Sequence, residues 1–418
     1  MIKKVFRSKI FSNSIYLYIL QIFNTIIPLL TLPYITRILG DEQYGIFSKM
    51  LNYILYFQAL VEYGFNLAGT RKISLCCNEE ERSKIFSGLV YSKIFLFLLS
   101  FALIGILLPA VAETPTHKFC MLILGLLLVA EVFMQTWFLQ GVQHMKEIML
   151  ISVISRTVST ICIFFFVKDS NDLLLYAMLY VATNLLTAIV GTIIVTCKFK
   201  VRFLRLDFSS IKSSLKDGWP LFTTSFATKV CSGFAITVLG LFSSDAVVGG
   251  YSAVQKIPYI LVMMFMPISQ ALYPHICRLY ANNISSGIRT LKKIALSILG
   301  ICFIGVAVLI TMRSHIIGIL YGMEYAPYAN LIIPLACWLF LSIANNFLGI
   351  QVLVARGYQK QYSNCFMVSL CFLVTLNLLG GYMFGATGVA IATMLGELVL
   401  TISCLSVIVK NKLLNTRE

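Results

Sequence analysis

Apolar runs of about 19 to 30 residues alternate with short polar or basic breaks along the whole chain. A helix crosses the roughly 30 Å apolar core of a bilayer with about 20 consecutive apolar residues. Twelve segments meet that requirement: 12–37, 44–70, 85–109, 118–140, 148–167, 172–197, 218–242, 247–276, 294–312, 328–354, 362–383 and 386–409. The pattern predicts an all-α polytopic membrane protein with twelve transmembrane helices. The first two segments meet at a short acidic turn, Asp41–Glu42. Pro28 and Pro33 interrupt the first, and Lys49 and Glu62 lie inside the second. A bilayer tolerates such charges where they face a protected, often watery, interior.

Composition strengthens this reading. The chain is 59% hydrophobic and only 12% charged, where soluble domains average about 25% charged residues. The formal charge of +16 would suggest nucleic acid in a soluble protein. Here its distribution along the chain argues against a nucleic-acid partner. Loops on the side of the N-terminus carry 24 Lys and Arg, and the opposite loops carry 4: Arg37, Lys118, Lys168 and Arg313. That bias predicts cytoplasmic termini. The basic N-terminus (Lys3, Lys4, Arg7, Lys9) is followed by no small-residue cleavage site, so the first helix is expected to stay. The twelve cysteines lie mostly in apolar segments, and Cys76–Cys77 are too crowded for an ordinary metal pair, so buried thiols are expected.

Internal similarity divides the chain. Asp41 to Ser48, after the first helix, resembles Asp245 to Ser252 after the seventh. Gln140-Gly141-Val-Gln143 resembles Arg356-Gly357-Tyr-Gln359, and Thr183, Thr187 and Gly191 match Gly388, Ala392 and Gly396, all at offsets near 204 to 216. Small residues at four-residue spacing let helices approach closely in lipid. Two six-helix lobes are expected, 1–205 and 206–418. Because six is even, they run in the same sense, related by a pseudo-two-fold axis along the membrane normal. The link alternates basic with apolar residues, Lys198-Phe199-Lys200-Val201-Arg202-Phe203. It reads as interfacial, with basic heads among lipid headgroups.

Catalytic and metal chemistry find little support. The four histidines lie in loops or at helix ends, no HExxH or GxxxxGK[ST] occurs, and Glu79–Glu81 reads as a solvated run. No cofactor and no metal site is expected. The remaining candidates are the charges inside helices: Lys49, Lys93, Arg156, Lys229, Lys256, Glu62, Glu131 and Glu397. Lys49 and Lys256 occupy similar positions in the two repeats and, facing a common interior, would make a cationic cavity; snorkelling or ion pairing would explain them otherwise. Arg156 and Lys229 are further cationic candidates. Glu62, Glu131 and Glu397 could exchange an ion, or be paired with Lys93 or Arg156. Pro28, Pro33, Pro258 and Pro267 free carbonyls and bend helices, which suits hinges or merely packing.

At these residues the chain resembles a known family. Pro28-Leu-Leu-Thr-Leu-Pro33-Tyr34-Ile-Thr-Arg37-Ile-Leu-Gly40, then Tyr44-Gly45, Tyr63-Gly64-Phe65-Asn66 and Thr70-Arg71-Lys72-Ile73-Ser74, looks like the first half of Wzx-type O-antigen flippases. Gly250 to Ile257 and Pro267 to Pro274 look like the second. These belong to the polysaccharide-transport branch of the multidrug/oligosaccharidyl-lipid/polysaccharide exporter superfamily. The resemblance implies a flippase, not an enzyme, in the bacterial inner membrane. Its cargo would be undecaprenyl-diphosphate-linked oligosaccharide, moved from cytoplasmic to periplasmic leaflet by alternating access. A polysaccharide polymerase and a chain-length regulator would be its partners. The implied cationic residues map to Lys49 and Lys256, then Arg156 and Lys229; Arg37 and Gly45 would take part in gating. A drug or cation antiporter of the same superfamily, a membrane polymerase and an assembly scaffold are the alternatives. The excess of intramembrane cations over acids favours an anionic cargo.

Overall fold

Helix makes up every predicted crossing, two of them with a short break. The structure, a computed structural model, describes residues 9–76, 78–205 and 208–413. Lys3, Lys4, Arg7, Cys77 and Arg417 lie outside them. The first helix, α1 (Lys9–Glu62), is a hairpin that carries two crossings and turns at Gly40, with φ 74° and ψ 177°. That backbone region is essentially closed to residues with a Cβ. The turn therefore precedes the acidic pair, and Asp41 and Glu42 open the second arm, where a helix N-terminus favours carboxylates. Gly40→Ala should destabilise the protein by about 1–3 kcal/mol, read as a lower unfolding temperature in detergent; an unchanged temperature would show the turn to be unstrained. Pro28 and Pro33 sit within the continuous first arm. Thr31 and Thr36 turn their hydroxyls back onto the Ile27 and Leu32 carbonyls at 3.0 and 2.9 Å.

Two crossings are interrupted. Tyr63 and Gly64, both left-handed at φ 50° and 72°, separate α1 from α2 (Phe65–Leu75). A Cβ on Gly64 would lie 2.6 Å from that of Leu221, so glycine is required there on two counts. α3 (Glu79–Val111) and α4 (Pro115–Val132) follow, and the fourth crossing breaks at 133–135 before α5 (Thr136–Gly141). The stubs α2 and α5 pack together: Thr70 donates to the Trp137 carbonyl at 3.0 Å, and Gly69 and Gly141 leave room for Trp137 and Ile73. Next come α6 (Met145–Phe166), α7 (Leu173–Lys198) and α8 (Phe208–Phe242).

After these come α9 (Asp245–Asn282), α10 (Ile284–Thr311), α11 (Arg313–Tyr321) and α12 (Ile332–Asn345). A wide π-helical stretch, Asn346–Val354, continues α12. The second hairpin, α13 (Gln359–Lys410), turns at Gly385 (φ 54°, ψ −134°). Just beside that turn a Cβ on Gly380 would meet the Gly388 carbonyl at 2.7 Å, so the arms close only because both are glycine. Counting both arms of each hairpin, the described residues make the twelve crossings of an all-α membrane protein. Large apolar side chains such as Phe165, Ile301 and Tyr382 are more than two-thirds exposed on single helices, as lipid-facing residues are.

Packing divides the chain into two units, up to Gly233 and from Phe234. The division expected from topology, at 205/206, lies earlier. The first part of α8 belongs to the first unit because it is fastened there. Lys72 pairs with Asp217 at 2.8 Å, Tyr63 stacks on Phe222 at 4.5 Å, and Asn52 donates to the Gly233 carbonyl at 3.2 Å. Helix ends repeat between the units. The fourth crossing closes with His144 N–H on the Leu139 carbonyl and Gln143 N–H on that of Gln140; the tenth closes with Tyr358 on Leu353 and Gly357 on Val354. Both are left-handed caps of the same type, with Gln143 and Gly357 at positive φ. The structural register thus matches Gln143 with Gly357, two residues away from the match of the sequence motifs.

Candidate functional site

Each break in the first unit follows an intramembrane carboxylate, and the two acids have different surroundings. Glu131 ends α4. Its carboxylate receives the Lys93 ammonium at 3.0 Å on Oε1 and the Gln58 amide at 3.1 Å on Oε2. Lys93 also donates to the Glu131 carbonyl at 3.0 Å, one of the carbonyls at the break, which the Met134 N–H also reaches at 3.3 Å. Thr192 serves the next, donating to the Phe133 carbonyl at 2.9 Å. The side chains of Lys93 and Glu131 are 1% and 8% exposed. A pair so fully removed from water needs excellent geometry and added hydrogen bonds, and both are present. Glu62 ends α1. It is half-buried, accepts from the Asn66 backbone N–H, and feels the charges of Glu131, Lys93 and Lys229.

The second arm of α1 lines up polar groups at helical spacing. Lys49 is 3% exposed, and its ammonium meets Glu113, which is 70% exposed, at 3.1 Å. Asn52 donates to the Tyr56 hydroxyl at 3.3 Å as well as to Gly233. The Tyr56 hydroxyl reaches the Val230 carbonyl at 3.4 Å. Gln58 and Glu62 lie on the opposite face of this arm, where Gln58 serves Glu131. Arg156 is half-buried and acts on Tyr180, whose ring meets Phe47 edge-on at 5.5 Å. Lys229 is exposed. At 1.5 Å per residue, Arg156 lies about 16 Å from the start of α6 and Lys229 about 20 Å from the end of α8, both near mid-membrane depth.

The second unit places its charges otherwise. Lys256 is exposed on α9, with no ion pair or hydrogen bond among the described residues. It lies about 16 Å from the start of that helix. Glu397, half-buried, accepts from Asn345 at 2.9 Å and from the Trp338 indole, while Asn345 also donates to the Glu397 carbonyl at 3.0 Å. Beside it, Ser269 donates to Asn346 at 2.6 Å, and Gln351, fully buried in the π-helical stretch, donates to the Ser269 carbonyl at 3.1 Å. π-helical segments are frequent at functional sites.

The repeat suggests equivalent lysines, yet Lys49 is covered by an acid and Lys256 is open. Glu131 is paired with Lys93, one of the pairings considered from sequence, and the structure brings Glu62 and Lys229 to the same region. Arg37 is exposed, Gly45 and Pro258 are buried, and Pro267 is half-buried. Glu113, Gln58, Asn345 and Trp338 carry no signal in the chain beyond being polar or amphipathic near apolar runs.

The family described as "Polysaccharide biosynthesis protein" matches residues 10–280. A protein of Escherichia coli (strain K12) named "Putative O-antigen transporter" is 29% identical over 409 residues, covering 96% of this chain and 97% of its own. One of the same name from Shigella dysenteriae is 25% identical, covering 95% and 99%. Among solved structures, "Lipid II flippase MurJ, inward closed conformation" matches with TM-score 0.71 at 15% identity, covering 95% of this chain and 87% of that one. An inward-facing multidrug resistance MATE family transporter of the MOP superfamily matches with TM-score 0.69 at 14% identity, covering 94% and 96%. At such identities the two structures show a shared fold.

Proposed function

The chain belongs to the polysaccharide biosynthesis protein family, and from that premise we propose that it flips undecaprenyl-diphosphate-linked oligosaccharide from the cytoplasmic to the periplasmic leaflet. The O-antigen transporter name of its relatives supports a polysaccharide cargo on a lipid carrier. The observation that carries the reading is Lys256. An exposed ammonium at about half the bilayer depth, with no counter-charge among the described residues, calls for water and an anion. A diphosphate supplies that anion. Arg156, Lys229 and Lys49 are the proposed cations of the first unit. The sign of these charges disfavours a cation antiporter.

The movement proposed is alternating access without chemistry on the sugar. Pro28, Pro33, Pro258 and Pro267 serve as bending points, and Gly45 and Arg37 belong to the gate. Glu62 and Glu397, half-buried and hydrogen-bonded, are the carboxylates suited to exchange an ion; Glu131 is committed to Lys93. The basic loops support cytoplasmic termini in the bacterial inner membrane, where a polymerase and a chain-length regulator would take over the cargo. Deleting the gene should remove surface polysaccharide and accumulate lipid-linked repeat units on the cytoplasmic side, with full restoration by the plasmid-borne gene. Normal polysaccharide together with lost drug efflux would replace this reading by the antiporter.

A further inference from the structure

The segment that joins α7 to α8 is fastened along α3 by a ladder of hydroxyl groups. Ser83, Ser87 and Tyr91 stand four residues apart on one face of α3, a rise of about 6 Å per step. Arg202 and Leu204 stand two residues apart in extended chain, about 6.6 Å per step. The two spacings nearly match, so side chains of a helix can serve the backbone of a strap. Ser83 Oγ accepts from the Arg202 N–H at 3.2 Å. Ser87 Oγ donates to the Arg202 carbonyl at 3.2 Å and accepts from the Leu204 N–H at 2.9 Å. The Tyr91 hydroxyl donates to the Leu204 carbonyl at 2.8 Å.

Alternation then sorts the side chains. Phe199 meets Phe138 edge-on at 5.6 Å, Val201 is 4% exposed, and Phe203 meets Phe86 at 5.2 Å. Lys200, Arg202 and Arg205 are exposed, and Phe203 keeps 48% of its surface open. The three cations follow one another along the exposed strap. A row of that kind matches a layer of single negative charges, and an exposed phenyl beside it suits the boundary between headgroups and acyl chains.

We propose that this strap moors the first unit to anionic phospholipid headgroups, with Lys200, Arg202 and Arg205 as the contacts and Phe203 as the apolar wedge. This goes beyond the flippase reading and does not depend on the cargo. The test uses the full chain carrying Phe203→Trp in nanodiscs, with the parental protein's emission subtracted. Brominated phosphatidylglycerol at one quarter of the lipid should quench the new tryptophan at least twice as strongly as equally brominated phosphatidylcholine. Lys200→Gln, Arg202→Gln and Arg205→Gln together should remove that preference while quenching by phosphatidylcholine persists, which shows the strap still at the membrane. Equal quenching by the two lipids, or a preference that survives the triple substitution, overturns the proposal. So does a short polyprenyl diphosphate that abolishes the quenching at one equivalent, since the strap would then bind a substrate headgroup.

Discussion

Lys256→Ala is expected to abolish surface polysaccharide while the protein accumulates normally in the membrane. The side chain is exposed and makes no internal ion pair among the described residues, so its loss leaves no buried acid stranded and little stability is at stake. On the proposed reading, what is lost is a charge-assisted contact to the anion of the cargo. Truncating one partner of such a pair costs about 2–5 kcal/mol, a roughly thirtyfold or greater loss of affinity at the lower figure. Lys256→Arg keeps the charge and should retain most transport. Lys49→Ala should act more weakly alone, because Glu113 already occupies that ammonium at 3.1 Å. Wild-type polysaccharide in the double alanine variant, measured by gel electrophoresis of the surface fraction, would falsify the cationic reading.

Lys93→Met should be the most destabilising substitution of any intramembrane charge. It strands Glu131, whose side chain is 8% exposed, and removes the side-chain donor from a carbonyl at the break of the fourth crossing. Breaking a buried pair from one side costs about 3–5 kcal/mol, a large share of the roughly 5–15 kcal/mol by which proteins are stable. The variant should lose most of its monodisperse protein in detergent. Glu131→Leu alone should do the same by stranding Lys93. The double variant, Lys93→Met with Glu131→Leu, should recover much of the loss, because paired removal of buried charges is often nearly neutral. A shortfall of about 1–3 kcal/mol should remain from the Gln58 amide, which loses its acceptor. Additive losses in thermal unfolding would mean that the two groups do not act as a pair.

These two lysines look alike in the chain: each is a lone cation in an apolar helix. Lys93 is a structural ion and Lys256 an open one, and nothing within a few residues of either distinguishes them. The acids divide in the same way. Glu131 and Glu62 both end a helical segment at a break, but only Glu131 has a lysine and a glutamine packed onto it. The breaks themselves were partly legible, since Tyr63-Gly64 supplies the residue that tolerates positive φ. The break at 133–135 follows no glycine or proline, and its carbonyls are served by Lys93 and Thr192 from other helices. The turn falls at Gly40, one residue before the acidic pair, because acidic residues favour helix starts as well as turns.

What the sequence determined by itself was everything set by short-range chemistry. The length of each apolar run gives twelve crossings, the Lys and Arg of the breaks give an expected orientation, and recurring motifs give two related halves. The tertiary structure decided which charges meet. Lys93 and Glu131 are separated by 38 residues, and Lys49 and Glu113 by 64. In an apolar medium any buried charge will take whichever opposite charge the packing brings within reach. Sequence alone leaves several such partners open, and helix packing selects one.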